Sequence, residues 1–338
     1  MSDMRVTIKD VARCAGVSIA TVSNVLNGTG RVSADTISLV QRAIKALDFS
    51  PSQAARNLKA KKSRLIAVIV PFAGRGVLHE NPFYWELVTA IEAGARSYQL
   101  HVLLVGAEPE ESFSFVKERH LDGVIVIGAS EGTEALARIL QLNVPTVFLD
   151  SYLSDAALYQ VLVDDEWGGC EGTKHLIGLG HRSIALLTGE LRPRGVHEAR
   201  YIGYRKALDE AGIGYRPNLV IEAPPSMEGG SSAAARIAEL IGVTAVFATS
   251  DVAAIGLMSG LGERGIAVPR DLSVVGFDDL HLGRFASPPL TTVAQDIGGK
   301  GREAVRLLLA QMENGRAPSR LERLKVEMKV RRSARRLE

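Results

Sequence analysis

Cysteine is scarce in this sequence, since Cys14 and Cys170 are the only two among 338 residues. Their separation matches neither a disulfide framework nor a zinc site, and the seven histidines stand singly along the chain. Long apolar runs are missing too, because runs such as Leu65–Val70 are far shorter than the roughly 18 residues that a membrane span needs. These absences predict a protein of a reducing cytoplasm, with no metal, no cofactor and no membrane partner.

An apolar signal core is missing as well, because the chain begins Met-Ser-Asp-Met-Arg, and we therefore do not expect export. Apolar residues make up 46% and charged residues 23% of the chain, which is typical of a soluble globular protein. A length of 338 residues exceeds one ordinary core and suits two domains with a small additional one.

The net charge of +2 conceals an uneven distribution. Residues 1–64 carry 11 Lys and Arg against 4 Asp and Glu, whereas residues 65–338 carry 29 against 34. A small basic head on a long acidic body predicts a polyanionic partner for the head alone. The last ten residues are also basic, and we expect them to form a solvated tail.

Capping residues and glycine stops predict three short helices in the head. The expected caps are Thr7 (with Asp10 in a capping box), Ser18 and Ser33, and the expected stops are Gly16 and Asn27-Gly28. A three-residue turn between the first two helices is typical of a helix-turn-helix. The second helix presents short side chains that suit phosphates and base edges in a major groove, namely Ser18, Ile19, Ala20, Thr21, Ser23 and Asn24. The alternative is a three-helix bundle whose polar positions are simply solvated.

A short basic segment follows the head. Pro51 stands at a first helical position, but the segment is too short to hold a helix alone, and Lys59, Lys61 and Lys62 crowd it with positive charge. We expect it to become helical when phosphates neutralise it, with Leu58 as a wedge between base steps of the minor groove. The alternative is an inert linker.

The body alternates between apolar runs and amphipathic helical stretches, which predicts parallel sheets covered by helices and arranged as two α/β lobes. Ligands of such lobes bind beyond the carboxyl ends of strands. The polar residues expected there are Asp150, Asp164, Asp165, Ser250, Asp251, Asp278 and Asp279, with Arg200 near the start of a helix. Together they would suit a polyhydroxylated ligand, although each alone could be a helix cap or a solvated loop residue.

The sequence resembles the lactose-repressor/galactose-repressor (LacI/GalR) family of bacterial transcription regulators. In the head, the resemblance lies in Thr7-Ile-Lys-Asp-Val-Ala, Ala15-Gly-Val-Ser-Ile-Ala-Thr-Val-Ser-Asn-Val-Leu-Asn27, Arg31-Val-Ser33 and the Pro51–Leu58 segment. In the body it lies in Gly178-Leu-Gly-His181, Arg200-xx-Gly203-Tyr, Ala245-Val-Phe-Ala-x-x-Asp251, Val268–Asp279 and Pro289-Leu-Thr-Thr-Val-x-Gln295.

This resemblance implies a helix-turn-helix domain over residues 1–49, a hinge over 50–64 and a periplasmic-binding-protein-like pair of lobes. The expected N-terminal lobe spans 65–163 with about 296–324, and the C-terminal lobe spans 164–295 with about 325–338. The implied DNA contacts are Thr7, Lys9, Ser18, Ile19, Ala20, Thr21, Ser23, Asn24, Asn27, Arg31, Ser33, Ser52, Ala55, Arg56, Leu58 and Lys59. The implied effector contacts are Asp150, Arg200, Ser250, Asp278 and Gln295, with Phe83 and Tyr84 as an aromatic wall.

The chain departs from the family pattern at several places. Ser250 replaces a common Asn in the effector set, and Asn24 replaces a common Arg in the recognition helix, where Ile19-Ala20 is an unusually apolar pair suited to thymine methyls. The segment 72–80 is longer than usual, and the stretch 106–122 is shorter.

Two motifs imitate catalytic ones. Gly128-Ala-Ser-Glu-Gly132 fits the nucleophile elbow of hydrolases, and Gly260-Leu-Gly-Glu-Arg-Gly265 fits a dinucleotide loop but falls late in a helical stretch. We interpret the first as a strand-to-helix connection and Gly265 as a helix C-cap, so no catalytic residue is expected. A solute-binding protein, the other rival, would not explain the basic head.

The sequence therefore predicts a cytoplasmic, DNA-binding transcription regulator, most simply a repressor, that binds a pseudo-palindromic operator. A small-molecule effector between the lobes would switch it, with a sugar or sugar derivative favoured over a purine-like compound. A homodimer is expected, because the C-terminal stretch Met328–Glu338 carries no leucine heptads for a tetramer.

Overall fold

The computed structural model describes residues 6–49, 63–71, 81–108, 112–314 and 319–337. The chain divides into two compact units, and the boundary in the sequence falls between Ser63 and Arg64. The hinge predicted over Pro51–Lys62 and the long segment 72–80 lie outside the described residues.

The described residues of the first unit form three helices with the predicted starts and stops. They are α1 (Ile8–Ala15), α2 (Ile19–Asn27) and α3 (Ala34–Ala46). The hydroxyls of Ser18 and Ser33 accept hydrogen bonds from the backbone N–H groups three residues later, and so cap α2 and α3. Gly16 and Gly28 end α1 and α2 with φ angles of 66° and 64°, a conformation that favours glycine. The helices enclose a small core of Val11, Ala12, Val22, Val40 and Ala43.

The described residues of the body form two six-stranded sheets. The first sheet has the order β11-β5-β4-β3-β1-β2, and all of its neighbouring strands are parallel. Its strands are β1 (Leu65–Pro71), β2 (His101–Ala107), β3 (Gly123–Ile127), β4 (Thr146–Leu149), β5 (Tyr159–Val163) and β11 (Leu321–Leu324). The helices that accompany it are α4 (Pro82–Ser97), α5 (Phe115–Glu118), α6 (Glu134–Leu140) and α12 (Ile297–Asn314).

The second sheet has the order β12-β10-β9-β8-β6-β7 and is parallel except where β12 pairs with β10. Its strands are β6 (Ile184–Thr188), β7 (Val220–Glu222), β8 (Ala245–Ala248), β9 (Ser273–Asp278), β10 (Thr291–Gln295) and β12 (Val326–Lys329). Its helices are α7 (Asp165–Gly178), α8 (Val196–Glu210), α9 (Met227–Ala238), α10 (Asp251–Gly262) and α11 (His281–Phe285).

The two sheets confirm the predicted parallel, two-lobed α/β body. The chain passes from the first sheet to the second after β5, returns through α12 after β10, and crosses again between β11 and β12. Each crossing brings a strand end of one lobe beside the other lobe, so that side chains from both lobes meet in one crevice.

The basic C-terminal stretch is not the solvated tail that its charge predicted. Ser333 is fully buried, and its hydroxyl donates to the carbonyl of Val274 and accepts from the N–H of Thr291. Leu337 N–H donates to the carbonyl of Leu179 at 2.8 Å. The cause is β12, which pairs with β10 and so lays the residues after it along the second lobe.

The strand β2 differs from the expectation of strands covered on both faces. It lies at the edge of the first sheet, and its Leu104 is exposed. Within the described part of the chain, no helix has the length and apolar character needed to cross a membrane.

Candidate functional site

The recognition-helix candidates begin at the cap of α2. The Ser18 and Thr21 hydroxyls lie 2.9 Å apart and share a hydrogen bond, so these two side chains hold one another at the start of the helix. Ile19 and Ala20 lie between Ser18 and Thr21 in the sequence and are exposed. Contact between apolar side chains and water is unfavourable, so two exposed apolar residues at a helix start suit a surface that another molecule covers.

Asn24 lies on the next turn of α2 and is exposed, whereas Ser23 is half-buried. The Asn24 amide lies against Gly30, where an added Cβ would stand 3.1 Å from Nδ2. Gly30 has a φ of 83°, so the turn after α2 and the Asn24 side chain are matched in shape.

The remaining predicted DNA contacts are placed as follows. Thr7 donates from its backbone N–H and its hydroxyl to Asp10, and Ser33 caps α3. Lys9 and Arg31 are exposed. The Asn27 side chain and the residues Ser52, Ala55, Arg56, Leu58 and Lys59 lie outside the described residues, so their predicted roles stay predictions.

A fully buried lysine stands at the centre of the body's crevice. Lys300, from the first turn of α12, donates from Nζ to both carboxylate oxygens of Asp150 at 2.7 and 2.8 Å. It also donates to Gln295 Oε1 at 2.5 Å. Asp150 follows β4 of the first sheet and Gln295 ends β10 of the second, so Lys300 connects the two lobes.

The chain of hydrogen bonds continues into the second lobe. Gln295 Nε2 donates to Asp278 Oδ1 at 2.6 Å, and Arg200 Nη1 approaches the same oxygen at 3.5 Å. Arg200 also donates from Nε to Asp165 Oδ1 at 2.7 Å. Tyr152 of the first lobe donates to the other Asp165 oxygen at 2.5 Å and so brings the network back to the first lobe.

Arg200 is fixed on every side. Its Nη1 donates to the Thr249 carbonyl at 2.5 Å, and its guanidinium lies 3.6 Å from the centre of the Phe277 ring. A buried guanidinium that is stacked and hydrogen-bonded presents its remaining N–H groups in a fixed direction. This geometry suits binding of a ligand with several oxygen atoms.

Burial perturbs the titration of this network. Desolvation raises the pKa of Asp278 to about 6, although Arg200 and the Gln295 hydrogen bond oppose the shift. The pKa of Asp150 is also raised by burial, against the opposing charge of Lys300. Burial and the same two carboxylates raise the pKa of Tyr84 to about 12, so its hydroxyl is a neutral donor near them.

The predicted aromatic wall lies at the start of α4. The Phe83 and Tyr84 rings meet edge to face with centroids 5.5 Å apart. Lys300 Nζ lies 5.4 Å from the centre of the Phe83 ring, so the ring faces the ammonium group.

Ser250 and Asp164 occupy cap positions. The Ser250 hydroxyl accepts from Ala253 N–H at 3.3 Å at the start of α10, and Asp164 accepts from Trp167 N–H at 3.3 Å at the start of α7. Both side chains therefore act as helix caps, which was the alternative to a ligand contact. The carboxylates of Asp150, Asp165 and Asp278 belong instead to the hydrogen-bonded network.

The backbone is strained at two carboxylates of the network, Asp150 and Asp278, and at the neighbouring Asp279. Asp150, Asp278 and Asp279 have φ angles of 50°, 121° and 58°, which non-glycine residues seldom adopt. Asp279 pairs with Arg331 and Arg284, so contacts outside the crevice hold this turn. The positively charged C-terminal stretch thus contributes to the shape of the site.

The motif that imitates a nucleophile elbow is a connection between β3 and α6, as predicted. Its Ser130 carbonyl accepts from the Thr133 hydroxyl, and its Glu131 pairs with Arg194 of the second lobe at 3.1 Å and with Ser154. The second imitation lies where α10 ends, and Gly265 has a φ of 75° in the turn that follows. The described residues include no group of three metal-ligating side chains.

The structure thus brings together four residues that the sequence predicted for one crevice, namely Asp150, Arg200, Asp278 and Gln295, with Phe83 and Tyr84 beside them. Sequence reasoning missed Lys300 and Tyr152, and it gave Asp165 no specific partner. A signal for Lys300 existed, because Ile297, Lys300, Ala304 and Leu308 share one face of α12 and the other three are apolar.

Comparison with known proteins agrees with this architecture. A model of bacterial regulatory proteins of the lacI family matches residues 7–52, and a model of the periplasmic binding protein-like domain matches residues 173–334. The HTH-type transcriptional regulator DegA of Bacillus subtilis (strain 168) is 36% identical over 311 residues, which cover 90% of each chain.

Solved structures are similar over nearly the whole chain. A Lac repressor dimer bound to operator and the anti-inducer ONPF is 30% identical and has a TM-score of 0.85. The match spans 98% of this chain and 99% of the Lac repressor chain. A complex of the transcriptional regulator CelR with cellobiose is 29% identical and has a TM-score of 0.74. The match spans 98% of this chain and 100% of the CelR chain. The chain therefore belongs to the LacI family of bacterial transcription regulators, and it is a DNA-binding repressor with a ligand-binding body rather than an enzyme.

Proposed function

We propose that this repressor binds a pseudo-palindromic operator as a homodimer and that a sugar or sugar derivative between the lobes switches its DNA affinity. The observation that carries the proposal is the polar network between the sheets. It runs from Asp150 through Lys300 and Gln295 to Asp278 and Arg200, and so links both lobes at the point where a ligand would lie. A ligand that competes for these bonds changes the relative stability of lobe arrangements.

The head supplies the DNA contacts of the proposal. Thr21, Ser23 and Asn24 would reach base edges, Ile19 and Ala20 would contact thymine methyls, and the lysines of the hinge would bind phosphates. Leu58 from each subunit would wedge the centre of the operator, as its place in the basic segment predicts. Two-fold symmetry of the dimer requires the pseudo-palindrome.

The chemistry of the crevice supports a polyhydroxylated effector. Carboxylates accept from hydroxyl groups, and the guanidinium of Arg200 donates to vicinal oxygens, so both match a sugar. The CelR relative binds cellobiose in its solved complex, and a sugar effector here would belong to the same class. The same groups suit binding without catalysis, because they offer neither a nucleophile–base pair nor a metal cage.

The purine-like alternative depends on Phe83 and Tyr84 as stacking surfaces. The Phe83 ring already faces the Lys300 ammonium, and its edge-to-face contact with Tyr84 leaves the pair without a common flat surface. These contacts support a sugar over a purine.

Exposed apolar side chains support the homodimer. Trp85 on α4 and Phe285 on α11 are 66% and 74% exposed. The neighbouring Glu86 accepts from the N–H of His281 at 3.2 Å, which places the starts of these two helices together although they belong to different lobes. A second copy that covers this surface would sense movement of one lobe against the other.

A ligand screen followed by an operator titration tests the proposal. Sugars and nucleobases are added to the purified full chain, and the thermal unfolding midpoint identifies compounds that bind the folded state. Each binder is then added to a complex with a selected operator while fluorescence anisotropy is recorded. We expect a sugar both to raise the midpoint and to change operator affinity. Binders that are all nucleobases would contradict the sugar assignment, and binders that leave operator affinity unchanged would contradict the switch.

A further inference from the structure

Lys300 is an unusual component of a ligand crevice. Its side chain is 0% exposed, and its ammonium group has three hydrogen bonds, two to Asp150 and one to Gln295. Taking an ammonium ion out of water costs several kcal/mol unless a partner compensates it. Asp150 provides that compensation, so the two residues act as one neutral unit within the crevice.

The second cation is compensated in the same way. Arg200 binds Asp165 through Nε and approaches Asp278 through Nη1, and all three side chains are at least nine-tenths buried. The network thus holds two cations, Lys300 and Arg200, against three carboxylates, Asp150, Asp165 and Asp278. Its formal charge is −1, and both cations already have carboxylate partners.

Neighbouring titratable groups do not reverse this sign. Burial, together with the positive charge of Arg200, lowers the pKa of His197 to about 4, so the imidazole is neutral at neutral pH. Asp251 interacts electrostatically with Asp278, and burial raises its pKa well above the usual range. A carboxyl group is neutral or negative, so Asp251 cannot add positive charge.

On the basis of the effector function proposed above, we propose that the site takes an uncharged polyhydroxy ligand and rejects its phosphorylated and carboxylated forms, and that the Asp150–Lys300 pair sets this charge specificity. An anionic ligand would bring further negative charge into a buried network that is already negative. Inside a protein, where charges are poorly screened, such a juxtaposition opposes binding strongly. An uncharged sugar meets no such opposition and gains hydrogen bonds to the same groups.

Matched ligands test the inference directly. The sugar identified by the screen is compared by calorimetry with its uronic acid, its phosphate ester and its amino analogue, all at neutral pH and constant ionic strength. For the wild-type chain we expect the uncharged sugar to bind at least tenfold more tightly than either anionic form.

Two substitutions shift the charge in opposite directions. Asp150→Asn leaves the Lys300 ammonium without its carboxylate, so the preference for the uncharged sugar over the uronic acid should shrink at least tenfold. Lys300→Met removes the ammonium with little change of volume, so binding of the amino analogue should improve relative to the uncharged sugar. Asp271→Asn changes the net charge as Asp150→Asn does but lies on the exposed surface of the second lobe, and its preference should equal that of the wild type.

Each of these measurements either supports or contradicts the proposed charge specificity. Equal binding of the anionic and uncharged forms by the wild type would overturn the inference while leaving the effector function intact. The same holds if Asp150→Asn and Lys300→Met both bind sugar with the wild-type charge preference. If Asp150→Asn does not fold, the amino-analogue ratio of Lys300→Met decides alone. A screen in which no small molecule binds would contradict the proposed function, and the charge inference with it.

Discussion

Asp251 accepts a hydrogen bond of 2.8 Å from the backbone N–H of Leu280. Its other carboxylate oxygen accepts from the Thr292 hydroxyl at 2.6 Å, and the side chain is fully buried. Leu280 follows the strained turn of Asp278 and Asp279, so Asp251 holds the turn that aims Asp278 into the crevice. Asp251 is therefore a positioning residue for the proposed effector site, although it lies behind the crevice.

Replacing this carboxylate should weaken effector binding. Asp251→Ala leaves the buried Leu280 N–H unpaired, which costs about 1–3 kcal/mol of folding free energy, and it frees the turn to relax. We expect a lower unfolding midpoint and a loss of effector affinity of at least tenfold by calorimetry. Thr292→Val is the matched control, because it removes one partner of Asp251 and leaves the Leu280 bond. Its effector affinity should stay close to that of the wild type, and an equal loss in both variants would mean that the turn is held by other contacts.

Effector binding should depend on pH through Asp278, whose pKa burial raises to about 6. The ionised carboxylate accepts hydrogen bonds from ligand hydroxyls better than the protonated group does. Affinity should therefore be constant above about pH 6 and fall below it, by up to tenfold for each pH unit. Because the folded pKa is raised above 3.8, this group's contribution to folding stability has the opposite trend, and it is lost as pH rises from about 4 to 6.

Calorimetric titrations between pH 5 and 8 measure this dependence in the wild type and in Asp278→Asn. The amide does not titrate, so the variant should bind more weakly but with a flat profile over this range. A fall of the same size below pH 6 in both proteins would assign the titration to a different group.

Base contacts and phosphate contacts should be distinguishable in two variants, one in the recognition helix and one in the hinge. Asn24→Ala removes a base contact worth roughly 1–3 kcal/mol and should relax the preference at one or two operator positions. Lys61→Ala removes a phosphate contact, so it should weaken binding to all sequences alike and lower the salt dependence. Selection of binding sites from a random library, followed by anisotropy titrations at several salt concentrations, measures both effects. An unchanged selected motif for Asn24→Ala would remove Asn24 from the base contacts.

The dimer should depend on the apolar surface of α11. Phe285→Lys places a charge where we propose that a second copy packs, so the variant should sediment as a monomer at concentrations where the wild type is a dimer. Ile241→Lys is the matched control, because Ile241 is 96% exposed and lies after α9, away from this surface. Two variants with the same sedimentation coefficient would place the dimer contact elsewhere.

Local sequence signals predicted most of the fold. Ser18, Ser33, Gly16 and Gly28 fix the head because caps and left-handed turns act within a few residues. The apolar runs of the body predicted its central strands for a similar reason, since a strand buried on both faces must be apolar throughout. The edge strand β2 escaped this rule because one of its sides has no neighbouring strand.

The features that the sequence did not predict depend on contacts between distant parts of the chain. Lysine is seldom fully buried, and Lys300 becomes so only because α12 returns from the second lobe to pack on the first. The C-terminal stretch reads as solvated from its charge, yet the pairing of β12 with β10 places Arg331 beside Asp279 and buries Ser333. Asp251 looked like one more strand-end carboxylate, and only the fold shows that it supports a neighbour.

The most direct test of the account concerns Arg200, which lies in the body and hydrogen-bonds to Asp165, to Asp278 and to the Thr249 carbonyl. Arg200→Lys keeps a positive charge beside Asp165 but removes the planar fork that would bind vicinal oxygens. The measurement is operator binding by anisotropy, with and without effector at the concentration that saturates the wild type. The account predicts unchanged operator affinity without effector and no response to its addition. A variant that responds as the wild type does, at the same effector concentration, would contradict the placement of the effector between the lobes.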